Sequence, residues 1–313
     1  MFSLHWREGA AARPERARSC AIAAVAMAMI GVAIPFVARC ADTVRNAAHG
    51  GGVDTEHLFG FTEGADIGAA GEKNVELDST SRFGRQGGSF TTAAPEFEFK
   101  YTAFQNLRVS AAATFAYYDV AGVAGLNDRR EAATQSVSFD ARFRLLDRDR
   151  SPFGLTLSIG PHWGFADETS GVRTGHFGLE VLLRADREII SDRLFGGINL
   201  LFDTDRTRLL NAGRVEQEPT FGAGAALAVQ VMPGVWMGGE ARYLRSYDGA
   251  ALQTFSGQAL YLGPTLYARL GQHAWLSAAW NFQAWGGAVG FPGALDLTNF
   301  ERHQVKFRIG YEF

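Results

Sequence analysis

Apolar and polar residues alternate along most of this chain. In the last nine positions, Val305, Phe307, Ile309, Tyr311 and Phe313 are apolar or aromatic, and Lys306, Arg308, Gly310 and Glu312 lie between them. A period of two predicts a strand whose two faces meet different surroundings. The same pattern sets Val137, Phe139, Ala141, Phe143 and Leu145 against Ser136, Ser138, Asp140, Arg142 and Arg144. Phe97, Phe99 and Tyr101 oppose Glu96, Glu98 and Lys100, and Phe177, Leu179, Val181 and Leu183 oppose His176, Glu180 and Arg184.

The alternation predicts about twelve strands, near 73–84, 94–102, 107–119, 134–146, 152–166, 174–188, 193–205, 218–232, 235–248, 257–270, 274–286 and 302–313. Most are long enough to cross an outer membrane at the usual tilt. Tight turns at Gln105-Asn106, 147–151, 190–192, Pro233-Gly234 and 271–273 alternate with longer stretches near 85–93, 120–133, 167–173, 206–217, 249–256 and 287–301. Short turns at one end and long loops at the other is the outer-membrane arrangement, with the short turns in the periplasm. The reading is all-β: a closed antiparallel up-and-down transmembrane β-barrel of about twelve strands, with both termini on the periplasmic side. Pro161 and Pro264 read as the only prolines in mid-strand, each expected to mark a bulge or distortion. Tyr117, Trp163, Tyr243, Tyr247, Trp275, Tyr311 and Phe313 fall towards strand ends, where aromatic girdles belong.

Before the strands the pattern differs. Ala21 to Val37 is an apolar run interrupted by Gly31 and Pro35, preceded by Arg7, Arg13, Arg16 and Arg18. This predicts a signal peptide over 1–40. Arg39 before Cys40 argues against lipidation of that cysteine. Residues 41–71 are rich in Gly, Ala and Asp and lack a period; they read as a periplasmic arm, with a short helix or a plug as alternatives. The barrel is placed at 72–313.

Composition sharpens this picture in three ways. Hydrophobic content is 47%, ordinary for a soluble protein and expected of a barrel whose two faces average out. The only two cysteines, Cys20 and Cys40, fall in the predicted leader, so the remainder has no disulfide framework or cysteine metal site. Without residues 1–40 the chain keeps 25 basic and 31 acidic residues, and no basic stripe points to nucleic acid.

The predicted inward set mixes both signs. Its acids are Glu76, Asp78, Glu96, Glu98, Asp140, Glu180, Asp203, Glu240 and Glu312; its bases are Lys100, Arg142, Arg144, Arg184, Arg242, Lys306 and Arg308. Such a lining suits a polar pathway for small solutes, or a closed lumen held by salt bridges. Lys306, Arg308 and Glu312 are expected to point towards Glu76 and Asp78 across the closing seam. For chemistry, the candidates are thin. His162 and His176 fall on one face if the hairpin closes around 167–173, which pairs position 162 with about 178. Ser158 shares that face but lies too far along for His162 to activate. They read as polar lumen residues near the rim. His57 and His273 read as solvated and His303 as interfacial. Gly222-Ala223-Gly224-Ala225 reads as small-residue packing, since no helix follows it to make a phosphate loop. No catalytic, cofactor or metal residue is assigned, and the chain is read as a non-enzyme without cofactors.

Residues 56–66, Glu-His-Leu-Phe-Gly-Phe-Thr-Glu-Gly-Ala-Asp, precede a strand, then Gly84-Arg85-Gln86-Gly87-Gly88, then Pro95-Glu96-Phe97-Glu98-Phe99. Over about 56–118 and the terminal strand, the chain resembles bacterial outer-membrane barrels grouped with phenol meta-pathway proteins and outer-membrane transporters. The closing Phe313 resembles the signal read by the barrel-assembly machinery. The resemblance implies an outer-membrane barrel that passes small organic molecules; the chain is read as a monomeric Gram-negative outer-membrane protein in contact with lipid that passively admits small solutes through a narrow channel. The alternatives are an outer-membrane lipid-modifying enzyme and a non-conducting structural barrel.

Overall fold

Twelve antiparallel strands close on themselves in the computed structural model, which describes residues 53–208, 215–249 and 252–313. They are β1 (Lys73–Phe83), β2 (Ser89–Phe104), β3 (Leu107–Ala121), β4 (Arg129–Leu146), β5 (Gly154–Ala166), β6 (Arg173–Ile190), β7 (Leu194–Arg208), β8 (Val215–Met232), β9 (Val235–Asp248), β10 (Thr254–Arg269), β11 (Ala274–Ala288) and β12 (His303–Glu312). Each pairs with its sequence neighbours. The seam joins β1 to β12 from Asn74↔Glu312 to Phe83↔His303, so no edge is left to template aggregation. The predicted leader lies outside the described residues, as does the arm before residue 53.

The alternation has the physical outcome its period requires. Phe97, Phe99, Phe139, Phe177, Ile198, Leu227, Met237 and Phe307 are exposed on the outside. That much apolar surface is costly in water and favourable against lipid chains. Backbone N–H and C=O groups are consumed in the closed ladder, as a lipid-facing wall requires.

Several expectations change in detail. β2 and β4 start about five residues earlier than the alternation predicts, at Ser89 and Arg129, which shortens the loops to 84–88 and 122–128. With β2 starting at Ser89 and β8 at Val215, Pro95 and Pro219 also lie within strands. None of these prolines shifts a register where it interrupts pairing. At Pro161 the β4–β5 ladder resumes in step from Ser138↔His162 to Ala141↔Ile159, and at Pro264 the β10–β11 ladder does so from Leu262↔Phe282 to Thr265↔Ala279. The ladder thus loses two residue pairs on one side at each proline, a local distortion without a bulge, while Pro161↔Leu179 and Pro264↔Gly239 still pair on the other. The bulges lie elsewhere, one of them between Thr114 and Phe115. Trp275 does not join an exterior girdle. It is 1% exposed and faces inward with the buried Ser277, Ala279 and Asn281 of the same strand, and its neighbour across the β11–β12 ladder, Gly310, leaves room for the indole.

Candidate functional site: a plugged lumen

Residues 53–68 run inside the barrel. They form no helix or strand, yet Leu58, Phe59 and Ile67 are fully buried. Leu58 and Phe59 pack into an apolar floor of Phe195, Ala226, Ala228, Trp236, Tyr267 and Trp275. His57, expected to be solvated, is buried and stacks on Trp275 with ring centroids 3.9 Å apart. Burial holds the imidazole well below its ordinary pKa against the pull of Glu56, so the neutral ring is favoured.

The wall makes room for this segment. A Cβ on Gly197 would come within 2.8 Å of the Phe59 ring, and one on Gly224 within 3.0 Å of Thr62 Oγ1. The small-residue run at 222–225 is therefore partly a seat for the segment.

Because the segment has no ladder of its own, wall side chains take up its backbone groups. The N–H groups of Phe61 and Thr62 donate to Glu240 at 3.0 and 2.7 Å. Asn199 accepts from the N–H of Glu63 and donates to its carbonyl, both at 2.8 Å. Thr102 donates to the carbonyl of Ile67 at 2.7 Å, and Arg308 to that of Gly60 at 2.6 Å.

Three carboxylates of the segment meet the basic part of the wall. Glu56 is held by Lys100 at 2.9 Å, Arg142 at 3.0 Å and Arg108. Glu63 is ringed by Arg184 at 2.9 Å, Arg142 at 3.2 Å, Arg308 at 3.4 Å and Lys306 at 3.9 Å. Asp66 pairs with Arg148 at 3.0 Å. Burial alone would raise the Glu63 carboxyl, but Arg184, Arg142, Lys306 and Arg308 hold it well below the usual carboxylate range. The Arg242 guanidinium stacks over Phe61 at 3.8 Å.

Beyond the segment, towards the end of the long loops, lies a cavity of about 430 Å³. Of the predicted inward residues, Glu76, Asp78, Glu96, Glu98, Lys100, Asp140, Arg142, Glu180, Arg184, Asp203, Arg242 and Lys306 line it. Arg144, Glu240 and Arg308 lie against the segment instead, and Glu312 is buried at the seam. Across the seam Lys306 reaches Asp78 at 2.9 Å, whereas Arg308, though its backbone lies opposite Asp78, turns to Gly60 and Glu63. The lining carries nine carboxylates against six lysines and arginines.

The loop between β11 and β12 folds over one side of the mouth. Asp296, Phe300 and Glu301 are buried there, and Arg85 fastens the loop by donating to the carbonyls of Thr298 and Asn299 at 2.9 and 3.0 Å and to Glu301 at 2.7 Å. Burial would raise the Glu301 carboxyl, but Arg85 and Arg82 keep it below its ordinary value.

The alternation could not identify Glu56, Glu63 and Asp66 as wall partners, because their segment has no period. The usable signal is three carboxylates in an aperiodic stretch preceding strands with inward arginines. On the opposite side of the cavity, His162 does pair with Gly178, and the two imidazoles stand 6.1 Å apart. A third neighbour, Asp205 of β7, accompanies them. The Ser158 hydroxyl accepts from Arg184 at 2.6 Å.

The chain belongs to a family: residues 52–313 match the model described as "Family of unknown function (DUF6662)". A comparison with curated protein sequences finds no match. Among solved structures, the chain is similar to the COG4313 outer membrane channel from Pseudomonas putida F1, at 9% identity and a TM-score of 0.56, covering 80% of this chain and 98% of that one. It is also similar to the β domain of the Bordetella autotransporter BrkA, at 13% identity and a TM-score of 0.49 over 78% and 100% of the two chains. A KdgM porin aligns at 8% identity and a TM-score of 0.41, over 77% and 99%. At such identities the first likeness shows the fold, and that fold is the outer-membrane β-barrel. The matching family is thus DUF6662, and the finer likeness to phenol meta-pathway barrels stays a resemblance of pattern.

Proposed function

We propose that this protein is a monomeric outer-membrane conduit of Gram-negative bacteria for small solutes, closed at rest by its own segment 53–68. The observation that carries this reading is the segment's mode of attachment. Beside the apolar anchors Leu58 and Phe59, the segment's backbone and carboxylate groups are held by lumen side chains rather than by a ladder of their own. The polar contacts can exchange for water when the segment leaves, whereas the buried Leu58 and Phe59 contacts keep the docked state favoured at rest. The acidic excess of the lining favours cationic or neutral solutes over anions. The sequence resemblance supports small organic molecules as cargo, and the closing Phe313 supports delivery by the barrel-assembly machinery.

Planar-bilayer conductance of refolded protein tests this. Native protein is expected to show low, intermittent conductance. Glu63→Ala removes a carboxylate shared by four cations, of which Arg142 keeps Glu56 and Asp140 and Lys306 keeps Asp78, so the loss in docking is about 1 kcal/mol, a severalfold shift. The variant is therefore expected to be open severalfold more of the time. Absence of conductance in both proteins, with no solute flux in liposome swelling, would sink the conduit reading.

A further inference from the structure

By sequence His162 and His176 are polar lumen residues, but the geometry gives them more to do. We propose that His162, His176 and Asp205 form a binding site for one borderline divalent transition-metal ion of the zinc class, at the loop end of the lumen.

The site arises from a sequence repeat. His162-Trp163-Gly164 on β5 and His176-Phe177-Gly178 on β6 run antiparallel, in a register that pairs His162 with Gly178 and Gly164 with His176. Each histidine therefore faces a glycine on its neighbour. Both rings use that space: a Cβ on Gly164 would fall 1.6 Å from His176 Cε1, and one on Gly178 would fall 2.0 Å from His162 Nε2. The next strand completes the row, because Gly178 also pairs with Asp205. His162 reaches across Gly178 to place Nε2 2.9 Å from Asp205 Oδ1. His176 Nε2 approaches the same oxygen at 4.0 Å, and the three ligand atoms all lie within 4.8 Å of one another.

An ion pair explains one histidine beside Asp205. It does not explain a second imidazole aimed at the same oxygen, nor two glycine seats. A tetrahedral zinc with bonds near 2.0–2.1 Å holds its ligand atoms roughly 3.3 Å apart. The observed separations of 2.9 and 4.0 Å to Asp205 Oδ1 lie on either side of that spacing. Thr174 Oγ1 lies 3.4 Å from His176 Nδ1, which leaves Nε2 for the metal and supplies the outer contact that orients a ligating imidazole. His162 also lines the cavity, as do Glu168 and Asp203, so a cation can arrive from the lumen through a carboxylate-rich approach. Two imidazoles with one carboxylate suit zinc, cobalt or nickel better than calcium or magnesium, which favour all-oxygen shells. Three protein ligands leave a coordination position open to water or solute. This site goes beyond the conduit reading and stands whether or not the barrel conducts.

The test uses untagged, refolded full-length mature protein stripped with chelator, titrated with Zn2+ by calorimetry and with Co2+ by visible absorption. The expected result is one Zn2+ per chain at micromolar or tighter affinity, with the intensified visible bands of a low-symmetry Co2+ site. His162→Ala, His176→Ala and Asp205→Asn should each weaken binding at least tenfold, while His273→Ala leaves it unchanged. Gly178→Ala should weaken it too, since the added methyl occupies the position of His162 Nε2. Heat-modifiable gel mobility reports whether each variant has formed its barrel, and the native protein and whichever variants fold suffice for the comparison. Absence of Zn2+ binding at 100 µM by folded native protein overturns the proposal, as does undiminished affinity in the folded ligand variants.

Discussion

Single glycines decide what this lumen can hold. Gly197 lies inward on β7 where the Phe59 ring approaches within 2.8 Å of its missing Cβ. Gly197→Val keeps strand propensity and adds a branched side chain where the ring must sit. The barrel should form normally, since β-branched residues suit strands. The segment, however, should be displaced, because overpacking a filled site costs about 1–3 kcal/mol. Limited proteolysis checks this: cleavage within 53–68 should quicken severalfold with barrel mobility on gels unchanged. Equal cleavage rates would mean that Phe59 does not anchor the segment. Trp275 shows the same logic from the sequence side. Its position near a strand end reads as a girdle, but the period of β11 puts it on the inward face with Ser277, Ala279 and Asn281, and Gly310 opposite gives the indole its room. A residue's face is legible in the sequence; what its cross-strand neighbour leaves vacant is not.

At the scale of elements, strands and segment differ in how far the sequence announces them. The strands are legible because lipid and lumen impose a period of two, and the register of the β5–β6 hairpin follows from its turn. Strand ends are less so: the early starts of β2 and β4 carry polar residues on both faces, as expected where a strand leaves the bilayer. Segment 53–68 is surrounded by wall on every side, so no period could mark it. The ion-paired part of its attachment carries a pH dependence. The Glu63 carboxyl is held below its ordinary pKa when docked. A depressed folded pKa contributes docking stability that is complete above the undocked value, about 4.3 for Glu, and is lost as pH falls through the docked value. Protection of the segment from protease is therefore expected to hold from neutral pH down to about 5, and to fail only in stronger acid. Glu63→Gln should remove this acid-dependent part, leaving a weaker and flatter profile. A native profile that weakens between pH 8 and 6 would contradict the role assigned to Glu63.

At the scale of the whole molecule, two restraints act in series along one lumen. In the proposed conduit, segment 53–68 closes the end near the termini, and the loop after β11, fastened by Arg85, narrows the opposite mouth. Series barriers add as resistances, so the larger one governs flow and relief of the smaller one shows only after the larger is removed. The segment packs across the lumen into the wall, whereas the loop covers one side of a mouth whose cavity is still about 430 Å³. The segment should thus dominate. Arg85→Ala alone is expected to leave bilayer conductance near native, Glu63→Ala to raise it severalfold, and the double variant to exceed Glu63→Ala. Should Arg85→Ala alone open the barrel as far as Glu63→Ala, the loop rather than the segment would be the governing barrier. The order of the three conductances thus reports which end of the lumen closes it.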